Sequence, residues 1–146
     1  AGPERAQDLT QETFLRAFRA YPRLEPGANV RAWLFTIASN LCRNHYRSEA
    51  RRRNAFSLVA VNGTGFDHED PEALASYAQT QDRLNALIDA LPLKQRLAFV
   101  LRKVHDLDYP AVAESLGCSE DSARANVFQA LRRIRDGLKK FQEIPT

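Results

Sequence analysis

Residues 108–119 read DYPAVAESLGCS, a pattern typical of a short helix, a turn and the start of a second helix. Asp108 suits the N-cap of a helix, and Pro110 falls in the first turn, where a missing N–H costs nothing. Gly117 can adopt the left-handed conformation that ends a helix, and Ser119 can cap the next helix two residues later. A short helix, a tight turn containing glycine and a second helix form a helix-turn-helix.

The predicted second helix, residues 120–141, has two different faces. Its apolar residues recur at helical spacing, and they are Ala123, Val127, Ala130, Leu131, Ile134, Leu138 and Phe141. Residues 124–140 carry six cations and one anion. A charge run on a helix is usually a solvated face. Because this one follows a tight turn, where a recognition helix would lie, we predict DNA binding.

The bulk composition fits packed helical domains with a polyanion as partner. The chain has 146 residues, 44% of them hydrophobic and 27% charged, with net charge +3 and pI about 9.1. It has no apolar run of transmembrane length and no signal-peptide pattern, so we expect no membrane insertion. The modest positive charge is compatible with nucleic acid without requiring it.

No enzyme chemistry is indicated. We expect Cys42 and Cys118 to be small buried thiols rather than a disulfide or metal site. The three histidines are scattered singly, so no metal-ligand spacing exists. The sequence has neither a Gly-rich phosphate loop nor a nucleophile with a plausible base. We therefore predict no catalytic residue, metal, cofactor or small-molecule substrate.

The remaining sequence divides into two helical parts with no strand pattern and no repeat. Residues 4–20 predict a helix with Leu9, Phe14, Leu15 and Phe18 facing inward, and residues 21–28 predict a loop. Asn29 caps a long regular helix with Val30 on its apolar side. Asp70 and Pro71 start a further helix that runs to Ala90, and residues 93–105 form another with Val104 facing inward. Residues 55–70 lack periodicity and end in acidic residues, which predicts a flexible acidic linker. The prediction is an all-α fold with two small domains, 1–54 and 71–146.

Two polar clusters in the first part allow two interpretations each. The long helix ends in five arginines, which suit the helix dipole, although phosphate binding would explain them better; they are Arg43, Arg47, Arg51, Arg52 and Arg53. On the first helix, Asp8, Gln11 and Glu12 form an acidic-polar group that ordinary solvation would explain.

Two motifs then carry a resemblance. Residues 8–18, DLTQETFLRAF, and 31–41, RAWLFTIASNL, look like domain 2 of the bacterial extracytoplasmic-function (ECF, group 4) sigma factors. Residues 91–138 look like domain 4 of the same family, whose members recognise promoters for RNA polymerase. The resemblance implies a sigma factor with core RNA polymerase and promoter DNA as partners, and an anti-sigma factor as its regulator.

The resemblance also implies roles for the ambiguous residues of the first part. Asp8, Gln11 and Glu12 would dock on core polymerase. The −10 element would be opened, and one flipped base held, by a polar helix face and a loop. The implied −10 residues are Arg16, Trp33, Asn40, Arg43 and Arg47, of which Trp33 could equally be a core residue.

In the second part, the resemblance implies that the helix after the turn reads the −35 element in the major groove. Arg can hold guanine by two hydrogen bonds, Gln can hold adenine likewise, and Phe can pack on a thymine methyl. The implied residues are Arg124, Ala125, Phe128, Gln129, Arg132 and Arg133. The acidic linker would mimic nucleic acid in polymerase channels, or would simply be solvated.

The sequence departs from the family pattern in three ways. Only seven residues precede Asp8, so we expect domain 2 to be incomplete at its N-terminus. Asn126 and Gln129 stand where many members have Arg, which suggests a different −35 preference. Glu120 and Asp121 put acid at the start of the recognition helix, favourable for the dipole but unfavourable near phosphate.

Two other functions compete with promoter recognition. A sigma-like decoy that only sequesters a regulator would need no basic recognition helix, and would carry a receiver domain that this sequence lacks. A free-standing helix-turn-helix repressor or activator would leave the first domain unexplained.

Overall fold

The computed structural model describes residues 3–56 and 76–142, and these residues are helical apart from their connections. The elements are α1 (Pro3–Ala20), a 3-10 turn (Tyr21–Arg23), α2 (Val30–Phe56), α3 (Ser76–Asp89), α4 (Leu93–Phe99), a π-helical turn (Val100–Val104), α5 (Tyr109–Leu116) and α6 (Glu120–Gln142). The described residues contain no strand, which confirms the predicted all-α class.

The predicted capping residues begin the helices they were assigned to. The amide of Ala32 donates to Asn29 Oδ1 at 3.1 Å, at the start of α2. Asp108 Oδ1 accepts from the amide of Ala111 at 2.9 Å, and Pro110 lies in the first turn of α5. These bonds satisfy amides that have no partner inside their helix, which fixes where each helix begins.

The turn between α5 and α6 is closed by a Schellman motif. Gly117 has φ of +64°, and its amide donates to the carbonyl of Glu114 at 3.3 Å. The amide of Cys118 reaches back to the carbonyl of Ala113 at 3.0 Å. Ser119 Oγ then accepts from the amide of Ser122 at 3.1 Å, starting α6. The predicted helix-turn-helix is therefore present.

Helix α5 lies at the centre of the packing, in contact with α2 and with α6. One core cluster joins Ala32 of α2 to Val112 of α5 and to Ala123 and Val127 of α6. A second cluster joins α4 to α6 through Phe99, Ala130 and Ile134, together with Leu91. Helix α1 packs on α2, and α3 packs on α6.

The apolar side predicted for α1 is wrong in part. We expected Phe14, Leu15 and Phe18 to face inward, but all three are exposed, Phe18 by 82%. Thr13 and Ala17 are buried instead, because α1 has apolar residues around much of its circumference and a single neighbouring helix covers only one stripe. The exposed rings line an open groove with Trp33 and Leu34 of α2.

Three further residues expected on apolar faces are also exposed, and they are Val30, Val104 and Leu131. Val30 begins α2, Val104 ends the π-helical turn, and Leu131 lies at the margin of the α6 stripe. The stripe itself is correct on α6, since Ala123, Val127, Ala130 and Ile134 are buried.

The predicted linker, residues 55–70, lies almost entirely outside the described residues. Helix α2 runs to Phe56, past the boundary predicted at residue 54. The helix start predicted at Asp70 and Pro71 also lies outside the described residues, and α3 is described from Ser76. The helix predicted for residues 93–105 is present as α4, and its last part is a π-helical turn.

Candidate nucleic-acid interface

Helix α6 exposes one side that carries all six predicted −35 residues. The opposite side of α6 is buried in the core and carries Ala123, Val127 and Ala130. The exposed residues are Arg124, Ala125, Phe128, Gln129, Arg132 and Arg133. Phe128 is an unusual surface residue because 64% of it is accessible. A projecting ring among cations offers apolar contact and charge on one helix face.

Arg124 sits in the first turns of α6 and is held loosely. Its guanidinium lies 4.9 Å from the centre of the Tyr109 ring. Carboxylate oxygens of Glu120 and Asp121 lie 3.7 and 3.8 Å from it. Because the Arg124 side chain is 53% exposed, these ion pairs are worth at most ~1 kcal/mol. The guanidinium can therefore exchange its carboxylate partners for another acceptor.

Gln129 has a partner that sequence reasoning missed. Gln95 of α4 is 8% exposed, and its Nε2 donates to Gln129 Oε1 at 2.9 Å. Gln95 Oε1 is buried with no hydrogen-bond partner. A signal was available, because Gln95 is a polar residue between the apolar positions Leu93 and Leu97. Helical spacing alone did not show that it reaches α6.

The predicted −10 residues on α2 differ in their surroundings. Arg43 Nη1 donates to the carbonyl oxygen of Leu116 at 3.0 Å, and its Nη2 donates to Asn40 Oδ1. Asn40 and Arg47 are exposed. Trp33 is half-buried and lines the apolar groove between α1 and α2. The structure therefore joins Asn40 to Arg43 and puts Trp33 in a different environment.

The residues predicted to contact polymerase lie on α1, together with one residue predicted to contact the −10 element. Asp8 and Gln11 are exposed, and Glu12 is half-buried. Arg16 Nε donates to Glu12 Oε1 at 3.0 Å. A residue predicted to contact DNA is thus paired with one predicted to contact polymerase, and such an exposed i, i+4 pair is worth only ~0.3–0.5 kcal/mol.

The two halves of the chain are in direct contact through α2 and α5. Ser115, with 0% exposure, donates its hydroxyl to the carbonyl oxygen of Ala32 at 3.0 Å. The rings of Phe35 and His105 lie 4.8 Å apart, and Arg96 stacks over Tyr46 at 4.9 Å. We call this arrangement the closed form. In it, Arg43 covers the C-terminal end of α5, a position favourable for a cation.

Other kinds of site are not found in the described part of the chain. No group of three or more His, Cys, Asp or Glu side chains there is placed to hold a metal ion. Cys42 and Cys118 are free thiols and half-buried, and burial raises the pKa of the Cys42 thiol. Over the same residues, no helix is long and apolar enough to cross a membrane.

Two family models match the chain. The model for Sigma-70 region 2 matches residues 1–52, which include α1 and most of α2. The model for Sigma-70, region 4, matches residues 81–134, from within α3 to within α6.

Curated relatives agree with both models. The ECF RNA polymerase sigma factor EcfG of Rhodopseudomonas palustris is 33% identical over 155 residues, covering 94% of this chain and 76% of the relative. The ECF RNA polymerase sigma factor SigE of Mycolicibacterium smegmatis is 30% identical over 135 residues, covering 92% of this chain. The chain spans only 52% of that second protein.

Solved structures share the fold. The sigma factor RpoE in complex with the anti-sigma factor NepR, from Bartonella quintana, matches with a TM-score of 0.72 at 24% identity, over 93% of this chain and 82% of that one. CnrH in complex with the cytosolic domain of CnrY matches with a TM-score of 0.67 at 21% identity, over 95% of this chain and 74% of that one. At these identities the likeness shows the fold alone.

Removal of the Ser115 hydroxyl tests whether the closed form depends on the contact between α2 and α5. We expect Ser115→Ala to weaken the contact by about 1 kcal/mol, because one buried hydrogen bond is lost. The average radius of gyration in small-angle X-ray scattering should therefore rise. Thr36→Ala is the matched control, since Thr36 Oγ1 donates to the same Ala32 carbonyl from within α2. Equal effects of the two substitutions would contradict this role of Ser115.

Proposed function

The chain belongs to the ECF RNA polymerase sigma factors, and we propose that it binds core RNA polymerase and directs transcription initiation at promoters with a −10 and a −35 element. Sigma factors are DNA-binding regulators rather than enzymes. The finer assignment, to group 4, is part of the same proposal. The observation that carries the proposed function is the exposed, cationic side of α6, which directly follows the turn of the helix-turn-helix. Because the proposed partner is RNA polymerase, the protein would be located in the cytoplasm and associated with the nucleoid when bound to polymerase.

Helix α6 would enter the major groove of the −35 element. Residues in its first turns would reach base edges, and those further along would lie near phosphates. Arg124 supplies a planar donor pair suited to guanine, and Phe128 supplies an apolar ring suited to a thymine methyl. Arg132 and Arg133 supply charge for the backbone, which positions the helix without reading sequence.

Helix α2 and the preceding loop would engage the −10 element. Asn40 offers an amide for the edge of a flipped base, and Arg43 and Arg47 offer charge for phosphates. Arg16 would add a cation from α1. Trp33 lines an apolar groove, so a packing role suits it better than base stacking. The −10 set is therefore centred on Asn40, Arg43 and Arg47.

The closed form would be the inactive state of such a factor. The two elements lie about 25 base pairs apart, which is ~85 Å at ~3.4 Å per base pair. A compact chain of this length has a radius of gyration of only ~15 Å. Helices α2 and α5 must therefore separate before both elements can be bound. Arg43 must also leave the Leu116 carbonyl before it can reach DNA.

An anti-sigma factor would stabilise an inactive arrangement. Both solved structures above are complexes with a second protein, and in one of them a sigma factor is bound to a protein named as an anti-sigma factor. The groove of Phe14, Phe18 and Trp33 is an apolar surface on the first half of this chain, of the kind that partner proteins cover. The decoy alternative, which needs no DNA contact, leaves the cationic side of α6 without a function.

The regulator is tested by affinity purification. We expect the tagged chain, recovered from cells of its native host before induction, to carry a stoichiometric protein besides the polymerase subunits. That protein should lower the radius of gyration of the purified chain and inhibit its binding to core polymerase. Recovery of polymerase subunits alone would contradict regulation by an anti-sigma factor.

Docking on polymerase is tested at Glu12. We expect Glu12→Lys to weaken binding to core polymerase by ~10-fold or more, since like charges that meet across an interface cost several kcal/mol. Glu25→Lys makes the same change of charge in the loop after α1 and should bind normally. Both affinities are measured by fluorescence anisotropy, with helicity checked by circular dichroism. Unchanged affinity of the Glu12 variant would remove α1 from the docking surface.

The −35 contacts are tested by comparing Arg124 with Arg133. We expect Arg124→Ala to cost ~1–3 kcal/mol at one base pair and to relax preference there alone. Arg133→Ala should weaken binding evenly across sequences and lower the salt slope by about one. Both are measured on a library of −35 elements with the holoenzyme. If Arg124→Ala lowers affinity without changing preference, Arg124 contacts only phosphate.

A further inference from the structure

Gln95 is a polar side chain in a place where packing alone would favour an apolar one. It is 8% exposed on α4, and it faces α6. Its Oε1 atom is buried with no hydrogen-bond partner, which is unfavourable relative to a satisfied group because the desolvation of the oxygen is not compensated. A leucine of similar volume would avoid that penalty. The one bond that the Gln95 amide makes in exchange is its donation to Gln129.

That bond fixes which end of the Gln129 amide faces outward. Gln95 Nε2 can only donate, so the carbonyl oxygen of Gln129 points inward, toward α4. The Nε2 atom of Gln129, with its two N–H groups, is then left for the exposed side of α6. A glutamine that holds adenine by two bonds must present its oxygen and its nitrogen together to one base. The Gln129 oxygen is already turned away.

We propose that Gln95 is a positioning residue that makes Gln129 a donor-only reader of the −35 element, selecting guanine rather than adenine. Guanine presents two acceptors, O6 and N7, in the major groove, whereas adenine presents one acceptor and one donor. An amide that shows only N–H groups matches guanine. This inference rests on the proposed function, since it requires α6 to lie in the major groove.

The isosteric variant Gln95→Glu tests the proposal. A carboxylate at residue 95 can only accept, so the Gln129 amide must turn and present its oxygen outward. The preferred base at this position should change from guanine to one that donates, adenine or cytosine, by about fivefold or more. Gln95→Leu leaves the Gln129 amide free to rotate, and adenine should gain relative to guanine. Preferences are measured with core polymerase, the full chain and a −35 library.

A second substitution separates positioning from folding. In a Gln129→Ala background, Gln95→Glu should no longer change base preference, because no amide remains to be turned. Thermal melting of each variant reports any loss of stability, which would lower binding to all sequences alike. A change of preference that persists in the Gln129→Ala background would overturn the proposal.

The outcomes also distinguish this inference from the function beneath it. If the wild-type holoenzyme shows no preference anywhere in the −35 library, the proposed function itself fails. If it shows preferences but favours adenine at the base that depends on Gln129, only the role of Gln95 fails. The same holds if Gln95→Glu lowers affinity evenly and leaves that base preference unchanged.

Discussion

The structure depends on the burial of α5 between two neighbours, α2 on one side and α6 on the other. Five of its eight residues are buried, among them Val112 and Ser115 with 0% exposure. The α6 side is made of Val112, Ala123 and Val127, so separating it would expose apolar surface at ~25 cal/mol per Å². The α2 side includes a hydroxyl, Ser115, bonded to a carbonyl. Water can satisfy both groups after separation. Helix α5 is thus held to α6 by apolar packing, and to α2 by apolar packing through Ala32 together with a hydrogen bond that water can replace.

Several other contacts between the halves are polar, beside the apolar contact that Ala32 makes with the α5 cluster. Arg31 donates to the carbonyl of His105, Arg43 to that of Leu116, and Arg96 stacks over Tyr46. Arginine keeps its charge and is readily hydrated when exposed, so opening leaves no buried ion without a partner. By contrast, α4 and α6 meet through Phe99, Ala130 and Ile134. Closure is therefore suited to an equilibrium, as interfaces between domains of one chain commonly are.

Local rules predicted the elements of this fold, and the surroundings of the helices accounted for the errors. Asn29, Asp108, Gly117 and Ser119 each satisfy backbone groups within a few residues, and such bonds can be inferred from sequence alone. Phe18 was misplaced because helical spacing shows an apolar side without showing whether a neighbour covers it. Gln95 was missed for a related reason: its partner lies 34 positions away, on another helix, and no periodicity encodes that distance.

Arg43 connects the closed form with the proposed DNA binding, because the same guanidinium would serve both. It holds the Leu116 carbonyl at the end of α5, and it belongs to the set proposed for the −10 element. Two uses that exclude each other are thermodynamically coupled, and the coupling is reciprocal. If closure lowers the affinity for −10 DNA by some factor, bound −10 DNA lowers the equilibrium constant for closure by the same factor. Under this proposal, a regulator that favours the closed form needs no contact with the residues proposed to read DNA, since the contact of Arg43 with α5 would already oppose −10 binding.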